Sequence, residues 1–306
     1  MNKIAVIVVL YYPDLNHLKK FIESLDKQSD LILMIDNTPE KDINFVEIRE
    51  ISSSSRIKHI PLFENYGIAY AHNVGLKEFN KSDCDFVIIF DQDSFIENGC
   101  IQLLLSEYKK IEKVESKIAA IGPAFRDTKT QRISPAIQIS GLKVNRVEIL
   151  PSKDYTESDY IISSGTLIKR ESLNLIGNMM EELFIDYVDV EWGLRAKSYG
   201  YKCFIVNNVI MTHTIGDQRK YVPLVKRYVN IHSDFRKYFL LRNPIYLIVY
   251  GKRLPLNWKL IQIPKVLLYF LFVLIYVKAD FKIFKIFFKA IKDAFLKRMY
   301  KGSVYL

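Results

Sequence analysis

The sequence predicts an α/β protein, with a mixed, mostly parallel central sheet, helices on both of its faces and a C-terminal helical extension. Three observations predict it. Over the first 115 residues, apolar β-branched runs alternate with stretches of helical periodicity. Those runs lack in–out alternation, as expected of strands buried on both faces. After Pro223 the chain turns helix-forming, aromatic and basic. The expected organisation is a body over 1–218, in halves 1–115 and 116–218, and an extension over 219–306.

Ile4 to Tyr12 reads as a buried first strand, which Pro13 ends. Leu15, Leu18, Phe21, Ile22 and Leu25 recur at helical spacing, with Asp14 placed to cap that helix. Leu31 to Ile35 is a second strand, ending in Asp36-Asn37. Ile57 to Leu62 is a third. Asn65 to Gly75 opens a helix that runs to about Phe79, and Phe86 to Phe90 is the next buried strand. A helix over Glu97 to Lys113 follows. This β-α-β, β, α-β-α order implies parallel pairing with crossovers.

In the second half, Lys117 to Ile121 is a strand candidate, and 126–158 reads as loops and a hairpin interrupted by Pro135, Gly141 and Pro151. Tyr160 to Ile168 is apolar around a small-residue break. Tyr187 to Tyr199 is a helix with Gly200 at its C-cap. Lys202 to Val206 and Val209 to Thr212 lead to His213.

At 306 residues, 49% of them hydrophobic, the chain can bury a large core, and disorder is excluded. Cys84, Cys100 and Cys203 are scattered and match neither a disulfide framework nor a zinc site. No basic region or cleavage site brackets the first apolar run, so a cytoplasmic location is expected. The net charge of +10 is uneven: 219–306 holds 19 basic and three acidic residues, a net of +16, which leaves −6 for the rest. Such a tail suits an anionic membrane surface. Val266 to Val277 is an apolar run of 12 between Lys265 and Lys278, short of the roughly 20 residues that span a bilayer. From Phe281 on, phenylalanines and isoleucines mix with lysines at helical spacing, as in an interfacial helix. The alternative is packing on the body or on a second copy, as a homodimer. Too many aliphatics interleave the basic residues for a nucleic-acid groove.

The chemistry centres on Asp91-Gln92-Asp93, at the carboxyl end of the Phe86–Phe90 strand, where open α/β sheets bind ligands. Two close carboxylates repel unless a cation lies between them, and oxygen ligands suit Mg²⁺ or Mn²⁺ with substrate phosphates. The other reading is an acidic turn in which Asp93 or Ser94 caps the next helix. Asp36 ends a strand on the same edge and can accept hydrogen bonds from a base or ribose, or can cap a turn at Pro39. Asn65-x-Gly67 opens a helix, where free amides favour an anion and glycine permits close approach. Asp186 and Asp189 precede or begin a helix, where either can accept a proton or simply favour the helix dipole. Glu191 and Arg195 are four apart and form a scaffold pair. His213 ends an apolar strand, as a buried histidine or a third metal ligand. The Gly-x-Gly-x-x-Gly and Walker patterns are missing.

The segments 6–13, 35–37, Asn65 to Gly75, Phe90 to Ser94, Ser164 to Leu167, Asp189 to Glu191 with Leu194-Arg195, and His213 occur in this order. Together they resemble the family 2 glycosyltransferases, which have the GT-A nucleotide-sugar fold, over roughly residues 3 to 245. Asp91 to Ser94 and Phe184 to Trp192 are similar to the bacterial rhamnosyltransferase branch. The resemblance implies a nucleotide-binding half (1–115) and an acceptor half (116–218). It implies donor contacts at Tyr11, Asp36, Asn65, Gly67, Asn73, Asp91 and Asp93. Asp36 would meet the base, Asp91 the ribose or donor sugar, and Asp93 and His213 the metal. Asp189 would be the general base, with Gly165, Asp186, Glu191 and Trp192 on the acceptor side. Val188 stands where the family has Glu, which leaves Asp189, Glu191 and Asp186 as alternative bases. The implied reaction is inverting, Mg²⁺- or Mn²⁺-dependent transfer, with dTDP-rhamnose as the favoured donor and a UDP-sugar as the alternative. The acceptor would be a lipid-linked saccharide in polysaccharide biosynthesis, and the enzyme would be peripheral to the cytoplasmic membrane. A nucleotidyltransferase of the same fold would need a glycine-rich basic loop where Tyr11-Tyr12-Pro13-Asp14 stands. A non-catalytic scaffold is the remaining alternative.

Overall fold

The computed structural model describes residues 2–127, 130–213, 218–222, 227–276 and 281–303. The first half follows the expected alternation: β1 (Ile4–Leu10), α1 (Leu15–Asp26), β2 (Leu31–Asp36), α2 (Phe45–Ile51), β3 (Ile57–Pro61), α3 (Ile68–Lys81), β4 (Phe86–Asp91) and α4 (Cys100–Glu112). The second half holds β5 (Ile118–Asp127), β6 (Ala136–Ser140), β7 (Lys143–Val147), β8 (Tyr155–Ser158), β9 (Thr166–Lys169), α5 (Arg170–Ile176), α6 (Val188–Ser198) and β10 (Lys202–His213). A hairpin, β11 (Gln218–Val222) and β12 (Arg227–Ile231), leads to α7 (Asp234–Tyr250), α8 (Leu256–Tyr276) and α9 (Phe281–Phe295).

Eight strands form one sheet in the order β3-β2-β1-β4-β9-β5-β10-β8. β1 pairs in parallel with β2 and β4, and β2 with β3. β9 inserts antiparallel between β4 and β5, which makes the sheet mixed. β1 is wholly buried, and so are the first five residues of β4, because helices cover both faces. One core cluster packs α1 and α4 against the sheet through Leu18, Phe21, Ile22, Ile101 and Leu104; a second packs α3 and α6 on the other face through Leu76, Phe79 and Trp192. The Asp14 carboxylate caps α1 by accepting from the amides of Asn16 and His17. Cys84, Cys100 and Cys203 are all buried and free of disulfides.

The extension packs on the body. α7 carries buried Tyr238, Phe239, Arg242 and Asn243 and meets both α8 and α9. α8 is longer than its 12-residue apolar run, because the helix continues through Pro264 and Lys265. Its 21 residues make a rod of roughly 31 Å. Leu256–Val273 is long and apolar enough to cross a membrane by length and composition, and 17% of that window is buried. The sequence-based expectation of a run too short to span therefore does not hold for the helix as formed. Leu260, Ile263, Leu267 and Leu271 are exposed on it, as are Phe281, Phe284, Phe288 and Phe295 on α9.

Candidate active site

The strand register brings the first carboxylates together. Val9 of β1 lies opposite Asp91, and Leu10 lies opposite Asp36. Asp36 and Asp91 thus flank the end of β1 on one sheet edge, roughly 10 Å apart across two inter-strand spacings. Between them, Gln92 accepts from the Tyr11 amide at 2.7 Å and donates to the Tyr11 carbonyl at 3.0 Å. That side-chain ladder extends the β1–β4 pairing by one residue, with Asp93 exposed beyond it. Ser94 is buried, its hydroxyl 2.7 Å from that of Ser164, and its carbonyl bonds to His17. The helix that follows starts only at Cys100, with Gly99 as its N-cap. Neither Asp93 nor Ser94 caps it, which removes the capping alternative.

Asp36 is almost fully buried. Burial opposes its ionisation, but hydrogen bonds from His59 (3.0 Å) and Thr38 (2.9 Å) outweigh it and hold the carboxyl below its ordinary value. With Tyr12, Thr38, Asp42 and Asn44 it lines a cleft of about 430 Å³ at the ends of β1 and β2.

Across the sheet edge, Asp189 opens α6. Its Oδ1 accepts from the Val190 amide at 2.8 Å. Ile89, Ile161, Met179 and Trp192 line the same small cavity. Burial pushes the Asp189 carboxyl up to about 6, and the negative charges of Asp186 and Asp91 add to the effect. Asp91 and Asp189, 98 positions apart, therefore share one electrostatic environment. Tyr160 joins them: burial, then the Asp189 charge, push its phenol up to about 12. The sequence does not mark Tyr160 or Gln92 as site residues, and it offers Ser94 only as a helix cap and Ser164 only within a matching segment; a polar residue between two carboxylates is a weak signal, and the others pair over long range.

Several expected positions serve the scaffold instead. The α3 N-terminus is not open to an anion: the amides of Ile68 and Ala69 both donate to the Phe184 carbonyl, and Asn65 accepts from the Gly67 amide. Gly67, at φ +90°, is needed because a Cβ would lie 2.6 Å from Phe184. Asn73 is buried and bonds through both amide atoms to Met179, and also to Glu181. Glu191 is buried in a two-point ion pair with Arg195, which also donates to the carbonyls of Ile176 and Asn178. The Trp192 indole donates to the Gly177 carbonyl inside the core. Gly165, at φ +75°, sits where a Cβ would meet Met211 and Pro123. The side chains of Asn73, Glu191 and Trp192 are thus bonded into the scaffold, and Gly165 allows close packing there. Asp186 pairs with Arg236 at 2.5 Å. Tyr11 is 44% exposed at the sheet edge, beside Gln92. The His213 backbone ends β10 opposite Asp127, but its side chain lies outside the described residues.

The Glycosyl transferase family 2 profile matches residues 6–177, more than half of the chain and all of the edge that carries Asp36, Asp91 and Asp93. The chain belongs to glycosyl transferase family 2. This glycosyltransferase is 34% identical over 249 residues to a dTDP-rhamnosyl transferase, RfbF, of Shigella flexneri, covering 81% of this chain and 80% of the relative. Among solved structures it resembles TarS 1-349 of S. aureus in complex with UDP-GlcNAc (TM-score 0.54, 16% identity, 95% of this chain and 80% of that one). It also resembles GalNAc-T7 with UDP, GalNAc and Mn²⁺ (TM-score 0.57, 14% identity, 79% of this chain) and spans about half of that protein's length. At such identities these structures speak for the fold alone, the expected GT-A arrangement of a mixed sheet with a C-terminal helical part.

Proposed function

We propose that this family 2 glycosyltransferase transfers rhamnose from dTDP-rhamnose, with inversion, to a hydroxyl of a lipid-linked saccharide in cell-surface polysaccharide biosynthesis. The observation that carries the reading is the 34% identity over 81% of the chain to a dTDP-rhamnosyl transferase; at the site, Asp189 near the start of α6, its carboxyl pushed up to about 6 by burial, supports its role as the base. A base with a pKa near working pH is ionised yet still basic enough to take a hydroxyl proton. Asp189 takes that proton as the acceptor oxygen attacks the anomeric carbon and the bond to the diphosphate breaks. One displacement inverts the centre and needs no nucleophilic side chain. Asp36 and the Tyr12–Asn44 cleft receive the base, and Asp91 orients the ribose or sugar.

Asp93, with Asp91 two residues away, would hold Mg²⁺ or Mn²⁺. Among the described residues no group of three or more His, Cys, Asp and Glu could hold an ion alone. Mg²⁺ needs only one or two carboxylates, with phosphate oxygens and water completing its shell. His213 would be a further ligand. Such an ion would neutralise charge building on the leaving diphosphate. The exposed leucines of α8 and phenylalanines of α9, with Lys285, Lys289 and Lys292 on α9, would seat the enzyme on an anionic cytoplasmic leaflet beside the lipid-linked acceptor.

The test is a thermal-shift and transfer panel of dTDP-rhamnose, UDP-hexoses and UDP-N-acetylhexosamines with Mg²⁺ or Mn²⁺. dTDP-rhamnose is expected to give the largest shift and a metal-dependent release of dTDP. Preference for any UDP-sugar would overturn the donor, and release with no metal dependence would overturn the metal site.

A further inference from the structure

We propose that Arg242 and Asn243 of α7, in the C-terminal extension, are positioning residues that set the catalytic base. This rests on Asp189 acting as that base. Ahead of Asp189 the chain runs through Phe184, Asp186 and Tyr187 at φ +65°, +63° and +67°. Three non-glycine residues in the left-handed region do not hold such a path by themselves, so surrounding contacts must impose it. Those contacts come from two sides. Toward the sheet, the Phe184 carbonyl accepts from the amides of Ile68 and Ala69, and Gly67 leaves room for the ring.

Toward the extension, the Asn243 amide nitrogen lies 3.0, 2.8 and 2.9 Å from the carbonyls of Leu183, Ile185 and Asp186. Arg242 donates to the carbonyls of Glu182 and Leu183 at 3.1 and 3.0 Å, to the Tyr300 carbonyl at 2.6 Å, and to the Asn243 side-chain oxygen at 2.9 Å. Both side chains are fully buried. Arg236, about two turns earlier on α7, pairs with the Asp186 carboxylate, and Phe184 stacks on Phe239 at 5.1 Å. A buried guanidinium and a buried amide directed at four carbonyls of one loop are a costly way to pack a helix, since apolar side chains would fill the same space. What they add is a defined backbone path into α6, and hence a defined place for Asp189.

The groups facing Asp189 are Asp186 of the loop, Asp91 of β4 and Tyr160, with Tyr187 beside it and Arg236 of α7 compensating Asp186. Loosening the loop hydrates Asp189 and separates it from Asp186 and Asp91. The acid limb of turnover should then move toward the ordinary carboxylate range.

The experiment compares Asn243→Leu, Arg242→Met and the milder Arg236→Gln with the full-length parent. Each is measured for melting temperature, dTDP affinity by calorimetry, and hydrolysis of dTDP-rhamnose with Mn²⁺ across pH. For the two buried substitutions the expected result is a fall in kcat of about 10²-fold, as for a misplaced reacting group. The acid limb should shift down by about one pH unit, and the dTDP dissociation constant should stay within about twofold. Arg236→Gln, on a partly exposed side chain, keeps the test alive if the buried variants do not fold: exchange over 182–190 should quicken, and loss of the charge that compensates Asp186 should move the acid limb up, opposite to the buried variants. A folded variant with an unmoved acid limb, or with dTDP affinity lost in proportion to kcat, would overturn the proposal. Hydrogen exchange over 182–190 separates this from failure of the base assignment: an active Asp189→Asn enzyme sinks the base, while faster exchange in Asn243→Leu still reports the clamp.

Discussion

The two walls of the cleft are held in different ways. Asp36 and Asp91 end strands whose neighbours are fixed residue by residue in a parallel ladder, buried on both faces. Asp189 opens a helix entered through left-handed backbone that helix α7, about 50 residues downstream, grips from outside. The first wall is rigid because of sheet register. The second depends on tertiary contacts that can change without disturbing the sheet. Donor recognition and turnover should therefore be separable by mutation.

Substitutions at each wall can break or sharpen that contrast. Asp189→Asn should lower turnover by about 10³-fold, the scale of a general base, with dTDP affinity unchanged by calorimetry; an active Asn variant moves the base elsewhere. In the parent, Asp189 accepts a proton only when ionised, so the rate should fall about tenfold per pH unit below about 6 and level off above it. Asp93→Ala should cost about 10²–10³-fold and abolish the response to Mn²⁺, whereas near-normal turnover would leave the metal without its ligand. Gly67→Ala touches both walls, because its Cβ would meet the Phe184 carbonyl and ring at 2.6 Å. A loss of roughly 1–3 kcal/mol in urea unfolding is expected, with activity falling further than stability alone explains. Phe284→Asp with Phe288→Asp, on the exposed side of α9, should weaken sedimentation with anionic vesicles while leaving the melting temperature within a few degrees; unchanged binding would free the extension from the membrane role.

The strands were legible because parallel strands buried on both faces carry continuous apolar runs, as Ile4–Leu10 and Phe86–Phe90 do. The Asp14 cap and the Glu191–Arg195 pair were legible because they are local. What escaped is non-local or short. α2 and α5 have seven residues each, too few for periodicity to show. α4 starts at Cys100 rather than Glu97, because Gly99 takes a left-handed turn at φ +84°. Nothing near Gly67 signals that a carbonyl 117 positions later will satisfy the first amides of α3. Lys265 was read as the border of an apolar run, yet the helix passes through it. The charge and periodicity of the tail pointed to a surface role but carried no sign of Arg242 and Asn243 reaching back to the loop before α6.

The three cysteines have a practical consequence. Burial raises the Cys84 thiol and pushes Cys100 up to about 11 and Cys203 to about 12. Because the thiolate is the reactive form, none of them should label at neutral pH in the folded protein. A single cysteine introduced at exposed Leu267 or Phe288 would then stand alone to a maleimide dye on an otherwise native chain. Its emission colour would report, one helix position at a time, how deeply α8 and α9 enter a bilayer.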